Sequence, residues 1–128
     1  MKLNTLLVTT AVIAVIFGLV FLFAPEKSVA LYGVALGPGG AVMTRFFGAT
    51  LLGFAVLTWL ARNETGSATR KAVIPALIVT NVAGFVVALA GQLSGLVNAL
   101  GWSTVAIYVF LAMGFVYFQF VKPGASKK

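Results

Sequence analysis

Four apolar runs, separated by short polar connections, leave this chain little choice of architecture. They are "TLLVTTAVIAVIFGLVFLF" from Thr5 to Phe23, "AVMTRFFGATLLGFAVLTWLA" from Ala41 to Ala61, "AVIPALIVTNVAGFVVALAG" from Ala72 to Gly91 and "WSTVAIYVFLAMGFVYFQFV" from Trp102 to Val121. At a rise of ~1.5 Å per residue, each is close to the ~20 residues a helix needs to cross ~30 Å of hydrocarbon. Lipid offers no partner to a free N–H or C=O, so a spanning segment takes the helical form, where the backbone satisfies itself. Composition agrees. The chain has 128 residues, of which 61% are hydrophobic and 9% charged, against about 25% charged in soluble domains. The expected fold is a single all-α membrane domain: a four-transmembrane-helix bundle, with a short interfacial helix after the first span.

The connections fill in that outline. "PEKSVALYG" reads as the short helix, with Pro25 in its first turn, Glu26 at the positive end of its dipole and Gly33 as its C-terminal cap. "GPGG", Gly37 to Gly40, is read as the turn into the second span. "RNETGSATRK" is read as a polar turn between the second and third spans, and Pro75 as lying in the first turns of its helix. The first run is longer than the apolar core of a usual signal peptide and is read as a retained helix.

Charge sets the orientation. Lys2, Arg62, Arg70, Lys71, Lys122, Lys127 and Lys128 fall on one side of a four-span chain, and Lys27 and Arg45 on the other. Basic loops stay on the cytoplasmic side, so both termini are expected there. The net charge of +7 is therefore topological, facing anionic head groups, and no nucleic-acid partner is expected. Trp102 and Tyr32 fall at the outer interface, and Trp59 and Tyr117 at the inner one.

With no cysteine or histidine, the chain lacks the parts for disulfides, Cys/His zinc sites and histidine-ligated haem. Its two acids, Glu26 and Glu64, cannot by themselves make an ordinary carboxylate metal cage. No catalytic constellation is recognisable, and neither an enzymatic role nor a cofactor is expected.

Polar residues inside the spans are the candidates for function. Arg45 shares a helical face with Gly48, Ala49, Leu52 and Val56, with Gly53 at its edge, while Phe47, Leu51, Phe54 and Thr58 lie opposite. Small residues mark where another helix approaches closely, so Arg45 is expected along the bundle seam and the bulky face toward lipid. The third span carries Leu77, Asn81, Gly84, Ala88 and Gln92 on one face. The depths predict an outer cluster of Glu26, Arg45 and Gln92 with Tyr32, and Asn81 below it. Two readings of the cluster stand. In one, Arg45 snorkels to the interface and pairs with Glu26, and Asn81 bonds across helices, worth ~0.6–2 kcal/mol. In the other, the residues form an outward-facing pocket for an anionic group. The threonines, Thr9, Thr10, Thr50, Thr58 and Thr80, need no role beyond bonding to their own helix.

"FAPEKSVALYG" followed by "MTRFFGATLLGFAVLTWLAR" resembles small bacterial four-span membrane proteins of unknown function. In these a proline follows the first helix, a Tyr-Gly pair comes next, and an Arg-x-x-Gly-Ala pattern opens the second. The resemblance covers the first half of the chain, through Pro25, Tyr32, Gly33, Arg45, Gly48 and Ala49. It implies a four-helix bundle and no activity; the expected location is a bacterial inner membrane. Small multidrug exporters share the size, but they carry a glutamate in the first helix that is missing here. The functional expectation is an accessory or assembly subunit of a membrane complex, or a lipid-binding bundle, self-associated or joined to partner helices. The competing expectation is a small channel or carrier for an anionic or polar solute, using the Arg45/Asn81 pocket.

Overall fold

A computed structural model describes residues 2–64 and 66–121. Five α-helices follow one another: α1 (Leu3–Phe23), α2 (Pro25–Ala30), α3 (Pro38–Ala61), α4 (Ser67–Leu93) and α5 (Gly101–Val116), the last continued by a π-helical turn, Tyr117–Val121. No strand occurs among the described residues. Four helical stretches, Leu3–Phe23, Pro38–Ala61, Lys71–Leu93 and Gly101–Val121, are long and apolar enough to cross a membrane. The chain is a multi-pass membrane protein. Lys122, Lys127 and Lys128, which weigh in the orientation argument, lie outside the described residues, as does the side chain of Arg70.

The spans are longer than their apolar runs. Helix α3 starts at Pro38, with Gly37 as N-cap, so most of "GPGG" belongs to the helix and not to a turn. Proline is well suited there because the first turn has no use for its missing N–H. Helix α4 starts at Ser67 and absorbs half of the segment read as a polar turn. Pro75 consequently lies in the helix interior, two turns in and not at the start. Two helix ends use the left-handed conformation that glycine alone adopts at little cost. Gly33 has φ 78° and Gly95 φ 75°. In each, the next residue's N–H reaches back across the end, Val34 to Val29 O at 3.4 Å and Leu96 to Gly91 O at 3.2 Å, a Schellman closure.

The helices associate as two pairs. α1 packs along its length against α3, and α4 against α5, whereas α1 meets α5 only briefly and α3 forms no extended seam with α4. The α1–α3 seam is close because it is built of small residues: Ala11, Ala14 and Gly18 from α1 and Ala41, Gly48 and Ala55 from α3 are buried. A Cβ on Gly48 would lie 2.8 Å from both Gly18 O and Leu22 N. Backbones this near gain dispersion contacts along the whole seam, the main source of cohesion between helices in lipid.

The pairs join at both ends. At the end where α1 begins and α5 finishes, Leu3, Leu6, Leu7, Ala61, Ile74, Leu77, Leu111, Phe115 and Phe118 form the buried core. Gly114 admits Leu6, whose Cδ2 would stand 2.8 Å from a Cβ there. At the opposite end Asn98 ties the pairs with hydrogen bonds. Its backbone N–H donates to Tyr32 O at 2.8 Å and its Nδ2 to Leu31 O at 3.0 Å. Its Oδ1 accepts from Leu100 N at 3.0 Å. Between the core and this latch, the pairs stand apart.

Candidate functional site

The space between the pairs is a cavity of about 330 Å³. Its walls come from every span. Ile13, Phe17 and Phe21 of α1 face Phe47, Leu51 and Phe54 of α3, and Thr80, Asn81 and Ala88 of α4 face Thr104, Ile107 and Tyr108 of α5. Val29, Tyr32 and Val34 cover it at the latch end, and Leu77 and Leu111 form its floor above the core. Among the described residues, none that lines it is charged. The size lies at the lower end of the ~300–1,000 Å³ usual for small-molecule sites, which are likewise mostly apolar with a few polar groups.

The phenylalanines explain why α3 faces inward with its bulky side. Phe47 stacks on Phe21, with centroids 5.6 Å apart, and Phe21 in turn meets Phe17 at 5.7 Å. Phe47, Leu51 and Phe54 thus line the cavity instead of facing lipid as expected, because the Gly48 seam turns them toward α4. Thr58, expected on that side, is fully buried and bonds back to Phe54 O at 2.8 Å.

The predicted polar cluster divides in two. Glu26 and Arg45 are both exposed, they do not pair, and neither lines the cavity. Arg45 stands outside the bundle because the closest point of the seam is Gly48, about 60° further round the helix. Ala49 is exposed, and nothing lies within 4 Å of where a Cβ of Gly53 would stand. Of the face expected to pack, then, Gly48 and Leu52 meet α1, and Ala49, Gly53 and Val56 turn outward.

Tyr32, Asn81, Ala88 and Gln92 do come together around the cavity. Thr104 Oγ1 donates to Tyr32 Oη at 3.3 Å, which holds the ring over the latch end. Gln92 Nε2 donates to Asn98 O at 3.0 Å, while its Oε1 is enclosed against Gly101 with no hydrogen-bond partner among the described residues. Gly84 packs on the ring of Tyr108, where a side chain would displace it. Asn81 is 4% exposed, and its one hydrogen bond among the described residues, Nδ2 to Leu77 O at 2.7 Å, stays within its own helix. That corrects the expectation of a bond across helices: the cavity separates Asn81 from any facing partner. The five threonines behave as expected and donate to carbonyls of the preceding turn.

Asn98 and Tyr108 were not expected as site residues. Asn98 sits in the uncharged loop "GQLSGLVNALG", and its role depends on a contact 67 residues away in sequence. Tyr108 is one aromatic among many in its span, and only its position opposite Gly84 distinguishes it.

The family model described as "Domain of unknown function (DUF8292)" matches residues 7–123, which takes in the latch, the whole cavity wall and all of the core but Leu3 and Leu6. No curated protein and no solved structure matches the chain.

Proposed function

The chain belongs to the DUF8292 family, and on that premise we propose that this member is a non-catalytic, lipid-binding bundle that holds the hydrocarbon chain of a membrane lipid between its two helix pairs. The observation that carries the reading is the apolar cavity of about 330 Å³ between the pairs, with no charged residue in its wall among the described residues. An alkyl chain there would gain dispersion contacts from the phenylalanine rings on one side and from Ile107 and Leu111 on the other. The loose α3–α4 side gives a lateral route from the bilayer, so a chain need not leave the hydrocarbon to enter. Binding is expected in the bacterial inner membrane. The excess of Lys and Arg on one side of the spans supports termini on the cytoplasmic face, and therefore a latch that faces outward.

This arrangement favours lipid binding over a carrier for anions. Such a carrier would draw its counter-charge from Arg45, which is exposed outside the cavity. An accessory role in a larger membrane complex is compatible with lipid binding and would use the outer faces of the helices.

Purification in a mild detergent followed by lipid extraction tests the reading. Wild-type protein should retain stoichiometric lipid through extensive washing. Ala88→Phe and Leu51→Trp, which fill the cavity from facing helices, should each lose most of it while keeping their helical content. Equal retention by both variants would place the lipid elsewhere.

A further inference from the structure

Asn81 lies at the middle of the third span, Lys71–Leu93, where an amide is costly without partners. Its Oδ1 and second N–H have no partner among the described residues. The hydroxyl of Tyr108, on the neighbouring helix, is likewise unpartnered among them. Both side chains line the cavity. The Tyr108 ring is held against Gly84, one turn of α4 from Asn81, so the two polar groups occupy neighbouring turns at similar depth. An amide offers both a donor and an acceptor, and so does a phenolic hydroxyl. Together they match a neutral oxygen function, which can donate, accept or do both. They do not match a carboxylate or phosphate, because no cation among the described residues faces the cavity to offset the charge.

Resting on the lipid-binding reading, we propose that the cavity selects a single-chain lipid carrying an uncharged hydroxyl or carbonyl group, which hydrogen-bonds to Asn81 and Tyr108 in the middle of the bilayer. Diacyl phospholipids are disfavoured on two counts. A site of about 330 Å³ lies at the small end of the usual range and suits one chain, and their head groups belong at the interface, a half-span away from Asn81. A neutral oxygen in this position satisfies the amide, and the apolar remainder of the molecule fills the space between Phe47, Leu51 and Ile107. The amide then acts as a specificity determinant: a plain alkane would leave it unpaired.

The test uses the full chain in lipid nanodiscs with four diazirine-bearing probes of one chain length: dodecan-1-ol, dodecane, dodecanoate and a diacyl phosphatidylcholine. Photolabelling of the cavity residues is read by mass spectrometry and normalised to labelling of the exposed, lipid-facing Val79 and Val86, which cancels partition into the bilayer. In wild type, the alcohol should label the cavity about three- to tenfold more than the alkane, as expected for one net hydrogen bond. Asn81→Leu should lower that ratio toward one, leaving only the share due to the Tyr108 hydroxyl, without reducing alkane labelling. Tyr108→Phe, which keeps the ring on Gly84, should lower it part of the way, and serves if Asn81→Leu fails to fold. Equal labelling by alcohol and alkane in wild type, or a preference for dodecanoate or the phospholipid, would overturn the proposed selectivity while leaving a lipid-filled cavity intact. Absence of cavity labelling by all four probes would instead overturn the lipid-binding reading itself.

Discussion

Two glycines of α3, Gly48 and Gly53, should respond in opposite ways to the same substitution. An alanine at Gly48 would put its Cβ 2.8 Å from Gly18 O and 2.8 Å from Leu22 N, both backbone atoms of α1, whereas nothing lies within 4 Å of a Cβ at Gly53. Backbone atoms in a helix cannot rotate away as a side chain can, so α1 and α3 must separate by roughly half an ångström or more at their closest point. Overpacking of this kind costs ~1–3 kcal/mol. Replacing glycine by alanine inside a helix gains up to ~1 kcal/mol, and this term is common to both sites. Gly48→Ala should therefore be ~1–3 kcal/mol less stable than Gly53→Ala, and the latter should match or exceed wild type. Reversible unfolding in mixed dodecyl maltoside and dodecyl sulfate micelles, followed by helical circular dichroism, measures the difference. Equal stability of the two variants within ~0.5 kcal/mol, or a larger loss at Gly53, would refute the assignment of Gly48 to the close seam.

Three further outcomes follow from the latch and the arginine. Asn98→Ala removes its side-chain bonds to Leu31 O and Leu100 N and should cost ~1–3 kcal/mol at ~0.5–1.5 per bond. Spin labels at Leu31 and Leu96 should also show a longer and broader distance distribution in that variant. Gly33→Ala imposes a side chain at φ 78° with Asn98 Nδ2 only 3.3 Å from the new Cβ. It should cost ~1 kcal/mol or more, against a gain for the same change at Gly53. Arg45→Gln should leave stability within ~0.5 kcal/mol and retained lipid unchanged, since the side chain is exposed and outside the cavity. A loss of lipid in Arg45→Gln would show that the site reaches beyond the cavity wall described above.

The spans and the short helix after the first were legible because hydrophobic length and cap chemistry are local properties. Gly33 announces the end of α2 through a conformation that other residues avoid, and the seam residue Gly48 is visible as a small side chain in a span. The limits of the helices were less so. Ser67, Thr69, Arg70 and Lys71 are polar yet helical, since polarity marks the membrane boundary and not the end of the helix. The inward face of α3 was misjudged for a physical reason. In a soluble protein bulky apolar residues identify the core, but lipid is as apolar as the interior, so Phe47 and Leu51 could not be assigned to either side by hydropathy. Only the position of the Gly18–Gly48 contact decides it. The same contact turns Arg45 outward and breaks the expected cluster with Glu26. Asn81 was legible as a polar residue at depth, while its lack of a partner across the helices, among the described residues, is a property of the space between the helix pairs, to which no residue pattern corresponds.

The central claim is that a lipid chain lies inside the ring of helices. Anomalous diffraction from crystals grown with a lipid brominated along its chain tests it most directly. A bromine peak is expected within the cavity, between Phe47 and Leu51 on one side and Thr80 and Tyr108 on the other, and should disappear in Ala88→Phe. Bromine found only on the outer faces of the helices, with the cavity peak absent in wild type, would contradict it.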